Sequence, residues 1–450
     1  MRRWESTIVL FLAAPLWGQQ TGAPPELEPP AVEYGGPAIL SRGGIASLSV
    51  PTESIRFRPY ISVTGAYDTG LTPISLTPAG NVPNEATPGA EVEAGVYGFH
   101  RWKTASLGLD YRGNYRHYST NTFYNGTDQV LSLMFKKRVT RRISYTLTES
   151  AGIVSRTLFS SGGLEFIDRQ FSNTPNSELF DGRTLYLDTI ANVTYQKTAR
   201  LSFNFGGDGF LTRRRSSALY GVTGYTARGD MAYRTSRHAT SGVAYDFTHF
   251  EFTKGFGGSD IHTVQLVQSF RLGRYWELAM KAGGSRVETL GLAQVTLDPV
   301  IAAILGRSTG VEAVHRVNWT PAADVRLTRG FHRASMGFSY SRGVSSGNGL
   351  FLTSRSESGT FNVTYTGTRK WNVGFVAGYI SLGSMLQNVG KDTAFYGGTG
   401  ATYNLTRSFH LITRYDYRNT DVRQTTLQRA SYRASFGFGF SPGDVPLSLW

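Results

Sequence analysis

Hydrophobic and polar residues alternate along most of this chain. Residues 405–417, LTRSFHLITRYDY, show the pattern most clearly. A Thr-Arg-Ser turn is followed by apolar, aromatic or Thr residues at alternate positions, with His410, Arg414 and Asp416 between them. Residues 397–405, before the turn, alternate in the same way. A period of two is typical of β-strands whose two faces meet different surroundings. The segment therefore predicts a β-hairpin with one apolar and one wet face.

The hairpin pattern recurs, each time with an arginine in or beside a short connection. The eight connections are 37 to 59 residues apart and are marked by Arg101, Arg141, Arg200, Arg237, Arg274, Arg329, Arg369 and Arg407. Repeats of this size indicate one architecture built from one supersecondary unit. A first strand near residues 56–67 and a last strand near 427–440 bring the expected total to about 18 strands. An even number places both chain ends on the same side of a closed barrel.

The main alternative architecture is a soluble β-sandwich, whose strands average about five or six residues. Here the alternating stretches run to about a dozen residues, which exceeds the roughly nine to eleven tilted residues that cross a bilayer. Their polar faces carry small polar residues and paired charges, such as Arg228 with Asp230, that suit a wet lumen better than a packed core. We therefore predict a closed antiparallel transmembrane β-barrel of about 18 strands.

The connections opposite the basic turns include two long ones, residues 155–182 and 289–310. Short turns on the periplasmic side and long loops outside are typical of such barrels. Both long loops could fold inward. The second contains residues 299–305, PVIAAIL, a candidate for a short apolar helix. We expect that helix either to pack into the barrel mouth or on a partner, or to cover its neighbouring loops.

The ends of the chain differ from its middle. Residues 1–18 have a basic start and an apolar run from Ile8 to Leu16, which indicates a signal peptide cut after Gly18. Residues 19–54 are rich in Pro and Gly and predict an extended periplasmic segment or a small plug. The barrel is expected over residues 55–440. Residues 441–450 contain Pro442 and Pro446, which disfavour another spanning strand, so we predict a short periplasmic tail.

The net charge of +14 raises nucleic acid as a partner, but much of the excess lies at the tight turns, where basic side chains can meet lipid headgroups. The chain has no motif that reads nucleic acid, so we expect none to bind. The absence of Cys fits an oxidising compartment without disulfides. The eight His show no metal-ligand spacing and no nucleophile motif is present, so we expect neither an enzyme, nor a cofactor, nor a metal site.

Charged residues on the polar faces are the candidates for lumen and selectivity residues, because fixed charges set the selectivity of a pore. The candidates are Arg112, Arg116, Arg228, Asp230, Lys281, Arg316, Arg326, Arg414, Asp416 and Arg433. Further polar-face candidates are Arg418, Glu91, Glu93, Asp110, Asp188, Asp246 and Glu277. The basic residues are modestly ahead, which predicts a mild anion preference. The alternative is that these charges only neutralise one another.

Two charges fall on the apolar face of their strands. Arg286 is late enough in its strand to lie at the outer rim. Glu149 lies nearer the middle, where a charge facing lipid costs up to about 2 to 4 kcal/mol, and less for Glu. It indicates a β-bulge, a contact between subunits, or an error in the assigned phase of the strand. We favour the phase error.

Residues 432–440, YRASFGFGF, place Tyr432, Phe436, Phe438 and Phe440 on one side of the last strand. This segment resembles the aromatic C-terminal strand of Gram-negative outer-membrane β-barrel proteins, the strand that guides barrel assembly in that superfamily. The resemblance implies location in the outer membrane of a Gram-negative bacterium, with outer-membrane lipid and the barrel-assembly machinery as partners. The chain departs from that pattern because ten further residues follow, ending at Trp450.

Eighteen strands enclose an interior too wide for side chains to fill, which indicates an aqueous passage. We therefore predict a porin-like channel for passive diffusion of small hydrophilic solutes, with self-association into a homo-oligomer left open. The alternative is a barrel of a polysaccharide export or surface-assembly system whose N-terminal segment engages a periplasmic partner. A third alternative is a surface-binding protein that uses its long loops.

Overall fold

The computed structural model describes most of the chain after residue 53. The described residues are 54–71, 85–120, 125–154, 183–216, 218–273, 275–296, 309–331, 333–365, 370–385, 390–422, 428–442 and 445–448. The expected signal peptide, nearly all of the N-terminal segment, the loop at 155–182 and the helix candidate at 299–305 lie outside these residues.

The described chain consists of β-strands joined by connections. The strands are β1 Ser54–Leu71, β2 Glu85–Arg101, β3 Ala105–Tyr118, β4 Gly126–Arg138, β5 Ile143–Val154, β6 Thr184–Gln196, β7 Leu201–Arg214, β8 Gly221–Arg234, β9 Ala239–Thr253, β10 Gly258–Leu272, β11 Trp276–Thr296, β12 Thr309–Gly330, β13 Ala334–Ser345, β14 Ser354–Tyr365, β15 Trp371–Ser384, β16 Lys391–Asn404, β17 Phe409–Val422, β18 Gln428–Phe440 and β19 Val445–Ser448. The described residues contain no helix that is long and apolar enough to cross a membrane.

Each of β1 to β17 pairs antiparallel with the next strand, and β18 pairs with β1. The closing register places Val63 opposite Phe438 and Asp68 opposite Arg433. The sheet therefore returns on itself as an 18-stranded barrel, and β19 adds a short pairing with residues 54–57 of β1. The predicted closed antiparallel barrel is confirmed.

The two faces of the sheet have opposite chemistry. Large apolar side chains on the outward face are exposed, including Val63 at 53%, Leu266 at 66% and Trp319 at 73%. Charged side chains on the inward face, such as Glu91 and Arg116, are buried. A sandwich would bury the apolar face between two layers, so that alternative is wrong. An apolar band around a closed barrel is the surface that lipid requires, and the chain is an outer-membrane type of β-barrel.

The strand bounds leave no more than five residues for each of the short basic connections that the sequence predicts. Three of them share a threonine that accepts two backbone N–H groups. Thr140 Oγ1 accepts from Arg142 at 3.1 Å and Ile143 at 2.9 Å. The same contacts recur at Thr198 and Thr406. A hydroxyl in this position replaces the hydrogen bonds that a tight turn leaves unmade.

The predicted loop at 289–310 is wrong in its bounds. Strands β11 and β12 remain paired up to Thr296 opposite Thr309, so the connection is confined to residues 297–308. Residues 290–296, LGLAQVT, and 309–317, TGVEAVHRV, belong to the two strands. The β11–β12 hairpin therefore extends beyond the neighbouring β9–β10 hairpin, which turns at residues 254–257. Sequence spacing alone did not show that two strands of the barrel are longer than the rest.

Glu149 is not a phase error. Strand β5 pairs without interruption with β4 and β6, which excludes a bulge, and Glu149 lies opposite Thr189 on the same face as Leu185 and Leu187. Thr189 Oγ1 donates a hydrogen bond to Glu149 Oε2 at 2.6 Å. A carboxylate therefore does face outward within the apolar band, with one hydroxyl as its partner. Arg286 also faces outward, beside Glu288, with which it forms an ion pair.

The opposite chemistry of the two faces predicts opposite responses to the same substitution on one strand. We expect Leu266→Arg to lower the free energy of unfolding by about 2 to 4 kcal/mol, because a cation would be held against hydrocarbon near the middle of β10. Ser269→Arg, on the inward face of β10, should change it by less than about 1 kcal/mol. Urea unfolding of the barrel in lipid vesicles measures both. Equal losses would contradict the assignment of faces.

Candidate functional site

The inner wall of the barrel carries all ten predicted charged candidates, because the strand registers place each of them on the inward face. The structure divides these candidates into two groups. One group lies at the seam where β18 meets β1, and the other lies on strands β8 to β12.

A set of paired charges, here the seam network, crosses the closing strands. Its members are Arg414 and Asp416 on β17, Arg433 on β18, Glu91 on β2, Arg116 on β3 and Asp128 on β4. Glu91 contacts two arginines, because its carboxylate forms an ion pair with Arg433 and lies 4.0 Å from Arg116 Nε. Arg116 also pairs with Asp128, and Arg414 Nε lies 2.7 Å from Asp416 Oδ2.

The seam network is almost entirely excluded from solvent. Relative exposure is 3% for Glu91, 2% for Arg116, 2% for Asp416 and 5% for Arg433. Beside it, Arg112 pairs with Asp110, and Tyr60 Oη donates to Glu93 Oε1 at 2.5 Å. Buried charges must be paired, because separating one from its partner leaves an uncompensated charge. The seam network therefore lies within the joint between the ends of the sheet, and little of it is open to the interior.

The second group, here the mixed-charge wall, lies away from the seam. It consists of Arg228, Asp230, Asp246, Lys281, Asp324 and Arg326, on β8, β9, β11 and β12. Each is half-buried or exposed. Arg228 keeps 38% of its side chain exposed while one of its nitrogens lies 3.2 Å from Asp208 Oδ1. Arg316, the remaining candidate, is exposed farther along β12 toward the long connections.

Acidic and basic side chains are interleaved on the mixed-charge wall. Arg228 lies opposite Asp246, and Lys281 lies opposite Asp324 in the strand register. Asn204 Nδ2 donates a hydrogen bond to Asp230 at 2.7 Å, which holds that carboxylate in place. The wall therefore presents both signs of charge to the interior within a few strands.

A connection that folds inward lies at the outer mouth. This segment, residues 346–353 between β13 and β14 and here the inward loop, reaches the β7–β8 connection, where Tyr220 N–H donates to Gly349 O at 3.1 Å. Thr353 Oγ1 lies 2.7 Å from Ser259 Oγ on β10. Because β8 and β13 are separated by four strands, the loop spans part of the inner wall instead of standing above its own hairpin.

Apolar packing holds the inward loop against the wall. Leu352 packs on an inward-facing cluster formed by Val222, Phe250, Phe252, Ile261 and Val287. Phe351 is completely buried. Apolar side chains on the inner face of a barrel would otherwise contact water. The inward loop covers them and so removes their apolar surface from water.

The backbone of the inward loop depends on glycine at two positions. Gly347 and Gly349 have φ values of +72° and +87°. A Cβ on Gly349 would lie 2.8 Å from Tyr220 O and 3.0 Å from Arg214 Cδ. Asn348 Oδ1 accepts the N–H groups of Leu350 at 3.3 Å and Phe351 at 3.0 Å, which completes the turn. The sequence Gly-Asn-Gly therefore specifies both the shape of this loop and its close approach.

The sequence analysis did not identify the inward loop. It expected the longest loops, residues 155–182 and 289–310, to fold inward. The usable signal was local. Residues 347–353, GNGLFLT, place three apolar side chains in a short connection on the side of the long loops, where they need a surface to cover them.

The aromatic residues of the assembly-signal prediction all face outward on β18. Tyr432, Phe436, Phe438 and Phe440 have exposures of 44%, 54%, 55% and 38%. The described residues contain no group of three or more His, Cys, Asp or Glu arranged to hold a metal ion.

This chain was compared with protein families, with curated proteins and with solved structures. No protein-family model matches it, and none of the curated proteins matches it in sequence. Among solved structures it is similar to OccK2 (OpdF) of Pseudomonas aeruginosa in complex with glucuronate, with 11% identity and a TM-score of 0.40. It is also similar to a BenF-like porin of Pseudomonas fluorescens Pf-5, at 10% and 0.41, and to OpdK of P. aeruginosa, at 11% and 0.40. Each alignment covers 86% of this chain and 98% of the other.

The burial of the seam network predicts that Glu91 stabilises the barrel. We expect Glu91→Gln to lower the free energy of unfolding by about 3 to 5 kcal/mol, because Arg116 and Arg433 would lose their shared counter-charge. The matched control is Asp324→Asn on the exposed wall, for which a change within about 0.5 kcal/mol is expected. Urea unfolding in lipid vesicles, followed by tryptophan fluorescence, compares them. Similar values for both variants would contradict a stabilising seam.

The geometry of the inward loop predicts that Gly349→Ala detaches it from the wall. The added Cβ would meet Tyr220 O and occupy a strained φ, so we expect a higher or noisier single-channel conductance in planar bilayers. Gly343→Ala is the control, since a Cβ there meets nothing within 4 Å. A conductance equal to that of the parent protein in both variants would show that the loop does not restrict the passage.

Proposed function

We propose that this protein is a porin-like outer-membrane channel through which small hydrophilic solutes diffuse passively. The observation that supports it is the combination of an apolar outer band with a mixed-charge inner wall that remains exposed below the inward loop. An 18-stranded barrel is too wide for side chains to fill, so fixed charges and an inward loop are the features that would select solutes.

The proposed partners follow from the outer surface. Outer-membrane lipid would surround the apolar band, and the outward aromatic side chains of β18 lie at the seam, where barrel-assembly machinery would act on the last strand. Self-association into a homo-oligomer is a further proposal. Glu149 supports it, because a second subunit would cover a carboxylate that otherwise faces hydrocarbon.

The mild anion preference stays a prediction. Burial of the seam network removes Arg116, Arg414 and Arg433 from contact with solute, together with their acidic partners. The exposed remainder combines acids and bases in similar number, with Arg316 adding a basic group. We therefore expect ion selectivity close to neutral with a slight bias toward anions.

The alternative function is export or surface assembly, with residues 19–54 engaging a periplasmic partner. The inward loop is compatible with it, because a restricted mouth also suits a channel that opens only on demand. The two functions differ in whether the isolated barrel conducts.

Single-channel recording on the purified protein in planar bilayers separates these functions. We expect steady conductance at neutral pH, with a reversal potential near zero in a KCl gradient, because opposite charges on the exposed wall offset one another. A protein that stays silent until residues 19–54 are deleted would contradict passive diffusion and support the export alternative. A strongly cation-selective conductance would contradict the proposed bias.

A further inference from the structure

We propose that the mixed-charge wall selects small zwitterions, solutes that carry an ammonium and a carboxylate together, as α-amino acids do. This inference rests on the proposed function and specifies the class of solute. The juxtaposition that carries it is Lys281 on β11 directly opposite Asp324 on β12.

The contacts of Lys281 leave its charge available. Asp324 is its register partner on β12, yet the two side chains form no ion pair within 4.0 Å, and no other described residue forms one with either. The Lys281 amino group is also within electrostatic range of Asp230 on β8. Adjacent opposite charges normally close on each other, as they do in the seam network. Lys281 and Asp324 instead stay apart, with Lys281 half-buried and Asp324 exposed.

The spacing of the exposed charges matches a zwitterion better than a simple ion. Asp324 and Arg326 are two residues apart on the same face of β12, hence roughly 7 Å apart along the strand. An ammonium can approach Asp324 while a carboxylate approaches Lys281. A lone anion or cation would meet a charge of its own sign at the same place, which cancels most of its attraction.

The position of the wall also suits selection. It lies on the periplasmic side of the apolar cluster that the inward loop covers, since Lys281 is nearer the start of β11 than Val287 is. A solute that passes the loop therefore meets Asp230, Lys281 and Asp324 next. By contrast, the seam network cannot provide this field, because its charges are already paired and buried.

The test compares glutamine, a zwitterion, with arabinose, a neutral solute of similar size, by swelling of liposomes that contain the full-length protein. We expect glutamine to enter about two- to fivefold faster, the gain that exposed ion pairs provide. In the double variant Lys281→Ala with Asp324→Ala the ratio of glutamine entry to arabinose entry should fall to about one. Ser341→Ala on neighbouring β13 is the control and should leave the ratio as it was.

A second measurement separates the charges from the fold. In a KCl gradient, Lys281→Ala alone should shift the reversal potential toward cations and Asp324→Ala alone toward anions, while the double variant returns to the parent value. The exchange variant, Lys281→Asp with Asp324→Lys, should restore the glutamine advantage.

A double variant that keeps the glutamine advantage, or a parent protein with equal rates, overturns the zwitterion inference while leaving the channel intact. No swelling with either solute overturns the channel itself, and the inference with it.

Discussion

The structure depends on one constraint, that every backbone N–H and C=O within hydrocarbon must be hydrogen-bonded inside the protein. A single antiparallel sheet meets it only by pairing its last strand with its first, as β18 and β1 do here. Closure gives the sheet an outside and an inside with different solvents. The two-residue period of the strands then places apolar side chains in lipid and polar ones within.

Closure also explains why charge is buried at the seam. The ends of the chain meet there with no loop between them to set their alignment, so the register must come from side chains. Arg433 on β18 contacts Glu91 on β2, across the intervening β1, and a slip of β18 by one residue would turn Arg433 to the opposite face, away from Glu91. A shifted register would leave buried charges without their partners, which is strongly destabilising. The native register is therefore lower in free energy than the shifted ones.

The proposed function depends on where charges of the inner wall stay accessible. The seam network uses its charges to hold strands together, and the inward loop uses apolar packing on Val222, Phe250 and Val287 to hold itself in the mouth. Among the described residues, strands β8 to β12 carry the mixed-charge wall, whose charges of both signs are half-buried or exposed. Under the proposed function, selectivity would therefore depend on one side of the interior, and a sum over all inward charges would misrepresent it.

The sequence by itself determined the barrel, the strand number, the short basic turns and the outward aromatic face of β18, because all of these are local consequences of alternation and turn chemistry. It also correctly placed the charged candidates on the inner face. Only the tertiary structure decided which were buried, since Arg433 on β18 meets Glu91 on β2 through strands far apart in the chain. The same holds for Glu149, whose partner Thr189 lies on the next strand, and for the inward loop, whose contacts with Tyr220 and Ser259 join hairpins that alternation alone cannot relate. Contacts between distant segments depend on how the sheet closes and curves. Alternation along a single strand does not specify either property.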